Sequence, residues 1–255
     1  MLKSLCLSAF AAVLLSGCAT NRTATVEQNY PQQDYSAQNP AQQQQTVSQL
    51  AGRYKANPRD KATIINYAAA LREAGQPAQA VSVLESALMA SPNDPDIKVN
   101  YAKALAATGR YDQALNVVTD AIRPDVPDWN ALLVRGAILD QTGRNEEARA
   151  TYSQALLVAP NQASIEGNLG LSYAMSDDLV SAEQHLRKAA SMPGATSRIR
   201  QNLALVVGLE GRFDEAQKLY AAELPPEEVA ANMAYLKSLM TQQNRWAAIR
   251  GGSQG

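Results

Sequence analysis

Histidine occurs once in this 255-residue chain, and cysteine, phenylalanine and tryptophan twice each. The shortage of histidine and cysteine excludes most site chemistry. There is no HExxH pair, phosphate-binding glycine loop, GxSxG or CxxC, so a metal, a cofactor and a catalytic nucleophile all lack their residues. Few Phe and Trp, beside abundant Ala, Leu and Gln, favour helix over a β-sandwich. Neither sign of charge is in excess. The formal net charge of -1 argues against nucleic acid or an anionic membrane surface as partner, and no small-molecule substrate is implied.

Long hydrophobic runs are also missing. Leu5 to Leu15 is apolar but too short to span a bilayer as a permanent helix. With Lys3 before it, the stretch reads as a signal peptide, residues 1–17. It ends in "LLSGC", which resembles the lipobox of bacterial lipoproteins: Ser16 and Gly17 are small enough for a signal peptidase, and the Cys18 thiol would accept the lipid. Cys6 would leave with the signal, so the exported protein keeps no thiol and no disulfide. Ala19 and Thr20 follow the lipidated residue. The absence of Asp there points to the outer membrane, facing the periplasm. Residues 18–45 are rich in Gln, Asn and Ser, with Pro31 and Pro40 interrupting. Such a stretch cannot bury enough surface to fold. It is expected to be a flexible tether, a coil of about 27 residues spanning roughly 30 Å.

What the chain has is a repeat. Gly75, Gly109, Gly143 and Gly211 are separated by 34, 34 and 68 residues, and the missing member falls on Asp177. Five residues after each stands alanine: Ala80, Ala114, Ala148, Ala182 and Ala216. Seven before stands Ala68, Ala102, Gly136, Gly170 or Ala204; four before, Leu71, Leu105, Leu139, Tyr173 or Val207. The register runs from 61 to about 228 without insertion.

A 34-residue period with these small residues resembles the tetratricopeptide repeat (TPR), a helix–turn–helix unit. The resemblance implies an all-α fold: a right-handed superhelical TPR solenoid of about five units, 61–94, 95–128, 129–162, 163–196 and 197–228. Residues 46–60 would cap its N-terminal side, 226–241 its C-terminal side through a stripe of Val229, Met233, Leu236 and Met240, and 242–255 would form a flexible tail. Trp246 would pack back on that cap. The small residues sit where paired helices must approach closely. Each glycine would end a first helix in a left-handed conformation. Asp112, Glu146 and Asp214 would cap the next helix or meet its dipole, leaving Arg110, Arg144 and Arg212 solvated. The phrase "GRFDEA" at 211–216, echoed as "GRYDQA" at 109–114 and "GRNEEA" at 143–148, is therefore architecture. His185 is expected on a second helix, at the surface or between repeats.

First helices of TPR units line a concave groove. The sixth residues of the units include Asn66, Asn100, Asn168 and Asn202. A carboxamide both donates and accepts, so this ladder could bond an extended peptide without reading its sequence. Ile65, Val99, Leu133, Leu171 and Leu205 would add apolar wall, suiting a hydrophobic or amphipathic segment of a partner protein. A further candidate contact is the turn at Asp177 and Asp178, where two negative charges replace Gly-Arg.

The segment "RQNLALVVGLEGRFDEAQKL" followed by "LPPEEVAANMAYLKSLM", within 198–240, resembles the C-terminal region of TadD-type lipoproteins of the Tad/Flp (tight adherence) pilus system. That resemblance implies an outer-membrane scaffold for pilus assembly whose partners are pilus-assembly or secretin components. Two alternatives stay open: a general envelope adaptor resembling NlpI-like TPR lipoproteins, which recruit peptidoglycan-modifying enzymes, and, least supported, an envelope enzyme. The anchor has a direct test. Cys18→Ser should leave the chain unlabelled by radioactive palmitate and absent from the membrane fraction; a variant still anchored there refutes the lipobox reading.

Overall fold

Ala80, Ala114, Ala148, Ala182 and Ala216 have no exposed surface at all, and they mark where helices touch. The computed structural model describes Tyr35 and residues 38–252, by backbone alone from 242 onward; the lipobox with Cys18 and most of the tether lie outside the described residues. The helices run α1 (Pro40–Ala56), α2 (Lys61–Glu73), α3 (Pro77–Ala90), α4 (Pro95–Ala107), α5 (Tyr111–Ala121), α6 (Trp129–Gln141), α7 (Asn145–Val158), α8 (Ala163–Met175), α9 (Leu179–Ser191), α10 (Ser197–Leu209), α11 (Phe213–Ala221) and α12 (Pro226–Gly252). Among the described residues there is no strand.

Each repeat is a hairpin of two helices, and each hairpin packs on the next. The first helices also meet one another in the series α2, α4, α6, α8, α10, whereas the second helices α3, α5, α7, α9 and α11 make no such mutual contact. A stack whose one layer is close and whose other is splayed must curve, with the close layer inside. The small positions take up the tightest approaches. Ala68, Ala102 and Ala204 are buried. A Cβ on Gly136 would lie 2.4 Å from the Tyr152 ring, and one on Gly170 would lie 2.7 Å from Leu186 Cγ and 3.0 Å from the carbonyl of Ala182. Around these contacts Leu71, Leu84, Leu105, Val118, Leu139 and Leu186 fill the space with 0 or 1% of their surface exposed.

The turns repeat as faithfully. Gly75, Gly109, Gly143 and Gly211 have φ of 72°, 77°, 76° and 85°, and Asp177 follows them at 64°. The next residue then donates its N–H to the carbonyl five positions back: Gln76 to Leu71, Arg110 to Leu105, Arg144 to Leu139, Asp178 to Tyr173 and Arg212 to Val207. This closes the end of each first helix. Asp60, Asp94 and Asp128, again 34 residues apart, cap α2, α4 and α6 by accepting from Thr63, from Asp96 and Ile97, and from Asn130. The expected carboxylate caps on the second helices are corrected. Arg110, Arg144 and Arg212 occupy those cap positions and make no side-chain cap bond. Asp112, Glu146 and Asp214 lie in the first turn, where they meet only the helix dipole.

Both ends depart from expectation. The N-terminal cap helix starts at Pro40 rather than 46, because Asn39 and Gln42 form a reciprocal capping box and Pro40 sits in the first turn, where it lacks no needed N–H. At the other end the 242–255 tail is corrected: α12 continues to Gly252, since no helix breaker interrupts 227–250. The side chain of Trp246 lies outside the described residues. Val229, Met233 and Leu236 of α12 are buried, with Leu236 set against Gly208. α11 is short, and Glu223, two residues beyond its end, accepts from Arg200 at 2.5 and 3.2 Å.

Gly170→Ala is expected to lower stability by about 1–3 kcal/mol, because the added methyl meets backbone that no rotamer change relieves. Urea unfolding followed by circular dichroism checks it.

Candidate functional site

The inner layer of first helices leaves a cavity of about 500 Å³ between α2, α6, α8 and α10. Leu133, Asn168, Leu171 and Asn202 line it. The other expected groove residues do not. Ile65 and Val99 are buried, 2% and 1% exposed. They share the fifth repeat position with Leu133, whereas Leu171 and Leu205 are ninth residues, so the apolar set never formed one continuous wall. Leu205 is half-buried in the cluster against α12. Asn100 is buried, and its Nδ2 donates to the carbonyl of Asp96 one turn back at 2.9 Å. Asn66 is partly buried, its Oδ1 enclosed and without a hydrogen-bond partner among the described residues. The asparagine ladder thus reduces to Asn168 and Asn202.

The curve brings distant units together. Arg198 of α10 stands 3.9 Å from Glu73 of α2, so the first and fifth repeats face each other across the cavity. Arg72, on the same wall, has its pKa lowered by burial, and Arg198 lowers it further. Lys103 of α4 donates to Asn130 Oδ1 at 3.3 Å. Burial, reinforced by Arg72, pushes its ammonium down to about 7.

Tyr35 also lines the cavity. It precedes α1 and belongs to no helix, yet it is 4% exposed and packs into the core of the first units. Its carbonyl accepts from Gln38 N–H at 3.2 Å, and Gln38 Oε1 accepts from Thr46 at 3.1 Å. Burial raises the phenol pKa. Sequence reasoning missed this residue because it lies in a Gln-rich stretch read as unfoldable; a tyrosine in so polar a context was the available signal.

The Asp177–Asp178 turn has a structural account. Asp177 takes the left-handed conformation that its neighbours assign to glycine, which Asp tolerates better than most residues. Asp178 caps α9 by accepting from Ser181 N–H at 3.0 Å, and this bond holds its carboxyl below the usual range. The arginines of the other turns are not simply solvated. Arg144 pairs with Glu147, and Arg212 bonds Glu215, Glu183 and Glu210, with Arg187 bridging Glu183 and Glu215.

Two buried carboxylates escaped the repeat pattern. Asp140 accepts from Tyr152, Ser172 and Asn145 at 2.9, 2.7 and 2.8 Å, which joins the third unit to the fourth. Glu166 of α8 has no exposed surface. Lys188 Nζ donates to its Oε1 at 2.6 Å, and His185 Nδ1 lies 2.8 Å from its Oε2. His185 stacks on Tyr173, and the Arg149 guanidinium also lies over that ring, 4.9 Å from its centroid. His185 thus ties α9 to α8 within the fourth unit, rather than packing between repeats as expected. Among the described residues no group of His, Cys, Asp and Glu has the arrangement of a metal site, and no helix is long and apolar enough to cross a membrane.

Residues 71–136 and 133–196 match models of the tetratricopeptide repeat. The fold is shared with solved structures of low sequence identity. A thermophilic TPR protein of Thermus thermophilus has TM-score 0.58 and 22% identity, over 76% of this chain and 98% of that one. A tetratricopeptide repeat protein of Parabacteroides merdae has TM-score 0.57 and 17% identity, over 80% and 81%. Pseudomonas aeruginosa PilF has TM-score 0.51 and 16% identity, over 71% and 83%. No curated protein sequence matches the chain. The protein is a TPR solenoid, an architecture that presents an extended concave surface to other proteins.

Glu166 gives the fold a pH dependence. Burial alone would raise its pKa, but the bonds from Lys188 and His185 outweigh burial and hold it below the ordinary carboxylate value. A carboxyl whose folded pKa is depressed stabilises fully above the unfolded pKa and loses that contribution as pH falls through the folded one. Stability should therefore drop below about pH 4, and Glu166→Gln should flatten that part of the profile. Urea midpoints measured from pH 7 to 3 check it.

Proposed function

We propose that the protein is a lipid-anchored scaffold of the bacterial outer membrane that works in assembly of a Tad/Flp pilus secretion machine, holding a segment of a pilus or secretin component in its concave groove. One observation carries the protein-binding part. Asn168 and Asn202, both donor and acceptor, line one cavity with the apolar Leu133 and Leu171. That mixture suits a main chain with apolar side chains, not a reacting small molecule. The lipobox-like "LLSGC" supports the anchor, and the 198–240 segment that resembles TadD-type lipoproteins supports the pilus. Deleting the gene should abolish surface pili, counted by electron microscopy, while leaving the prepilin pool intact by immunoblot. Normal piliation in the null overturns the pilus reading, and recovery of peptidoglycan-modifying enzymes without pilus components would favour the general envelope adaptor.

A further inference from the structure

Tyr35 is out of place by composition. Its neighbours in sequence are Gln, Asp, Ser and Asn, and nothing in such a segment drives it onto a surface except the ring itself. Yet the ring is almost fully buried, against the inner helices and not against its own helix α1 alone. It shares a cavity with Ala69 and Arg72 of α2, with Asn168 of α8, and with Arg198 and Asn202 of α10. About 500 Å³ stays unfilled beside it, a volume in the range of ligand sites. A residue that served only to close the core would leave no such space and no unused carboxamides next to it.

We propose that this groove is a receptor for a tyrosine carried on an extended segment of a partner protein, and that Tyr35 fills the receptor in the free chain. The proposal rests on the protein-binding reading above and names the chemistry that the groove selects. The aromatic body is taken by the apolar wall, and the main chain to either side is left to the carboxamides of Asn168 and Asn202. A phenol whose burial raises its pKa stays neutral throughout the physiological range, so the occupant is an uncharged ring.

Tyr35 stands five residues before the first residue of α1 and is held through Gln38 to Thr46. A ligand tethered so closely competes at an effective concentration of roughly millimolar. A partner's segment therefore sees its apparent affinity reduced by the fraction of molecules in which the groove is open.

The test uses the full chain and a fluorescein-labelled peptide of residues 32–40, QQDYSAQNP, read by fluorescence anisotropy. Tyr35→Ala is expected to bind this peptide, whereas the unaltered chain and Tyr35→Phe should bind it about ten-fold more weakly or worse. Leu171→Arg added to Tyr35→Ala should remove binding, as should alanine at the peptide's tyrosine. Equal binding by the unaltered chain and Tyr35→Ala, or none by Tyr35→Ala with its helical circular dichroism intact, overturns the proposal. Should Tyr35→Ala lose helix, the unaltered chain labelled with 3-fluorotyrosine decides. Millimolar peptide should move the Tyr35 fluorine resonance to its solvent-exposed position, and an unmoved resonance overturns the proposal. These outcomes are independent of piliation, so they separate this inference from the pilus reading.

Discussion

Everything in this solenoid depends on how closely paired helices approach at one small residue per helix. Alanine or glycine seven residues before each turn, and alanine five after it, set that distance; both rows are buried. With the pairs so close, the large residues cannot lie between them and instead fill the space around them and between successive hairpins. The inner helices then meet their neighbours while the outer helices do not, and the resulting curvature makes the groove. The tight turns belong to the same constraint. A left-handed residue lets the chain reverse within two or three residues, short enough to keep the two helices at that distance.

Polar groups fix what apolar packing leaves adjustable. A stack of similar hairpins could slide or rotate with little loss of buried area, but a buried carboxylate tolerates no such shift, since losing a partner leaves a charge uncompensated. Asp140 takes bonds from both the third and fourth units, and Glu166 locks the two helices of the fourth unit to each other. Arg212, Arg187, Glu183 and Glu215 do the same work between the fourth and fifth units in a more solvated setting, where each pair contributes less. Arg198 and Glu73 then face each other across the groove, so its width follows from the sum of small rotations along the whole stack.

The groove owes its mixed apolar and polar lining to that closure. Leu133, Leu171, Asn168 and Asn202 come from three units, and Ala69 and Arg72 from a fourth. Tyr35 enters from a segment outside the repeats. The contents of this space are decided less by any one motif than by which inner positions the curvature leaves uncovered.

The helical pairs, their order, their turns and the small residues at their contacts were all legible in the 34-residue spacing, because those features depend on local backbone geometry and on contacts within one hairpin. Asn39 and Gln42 carried a readable start for α1 that Pro40 obscured. The site was legible only in part. Asn66, Asn100, Asn168 and Asn202 hold the same repeat position, yet Asn100 is buried with its amide turned to its own helix and Asn168 faces the cavity. Repeat position says which face of a helix a residue takes, and not how far the neighbouring units close over it. The sequence alone determined the repeat, because period and side-chain size are local quantities. Only the tertiary structure decided that Arg198 would face Glu73, that Ile65 and Val99 would be core, and that Tyr35 would lie in the groove. Each of these depends on rotations accumulated across five units, which no single repeat encodes.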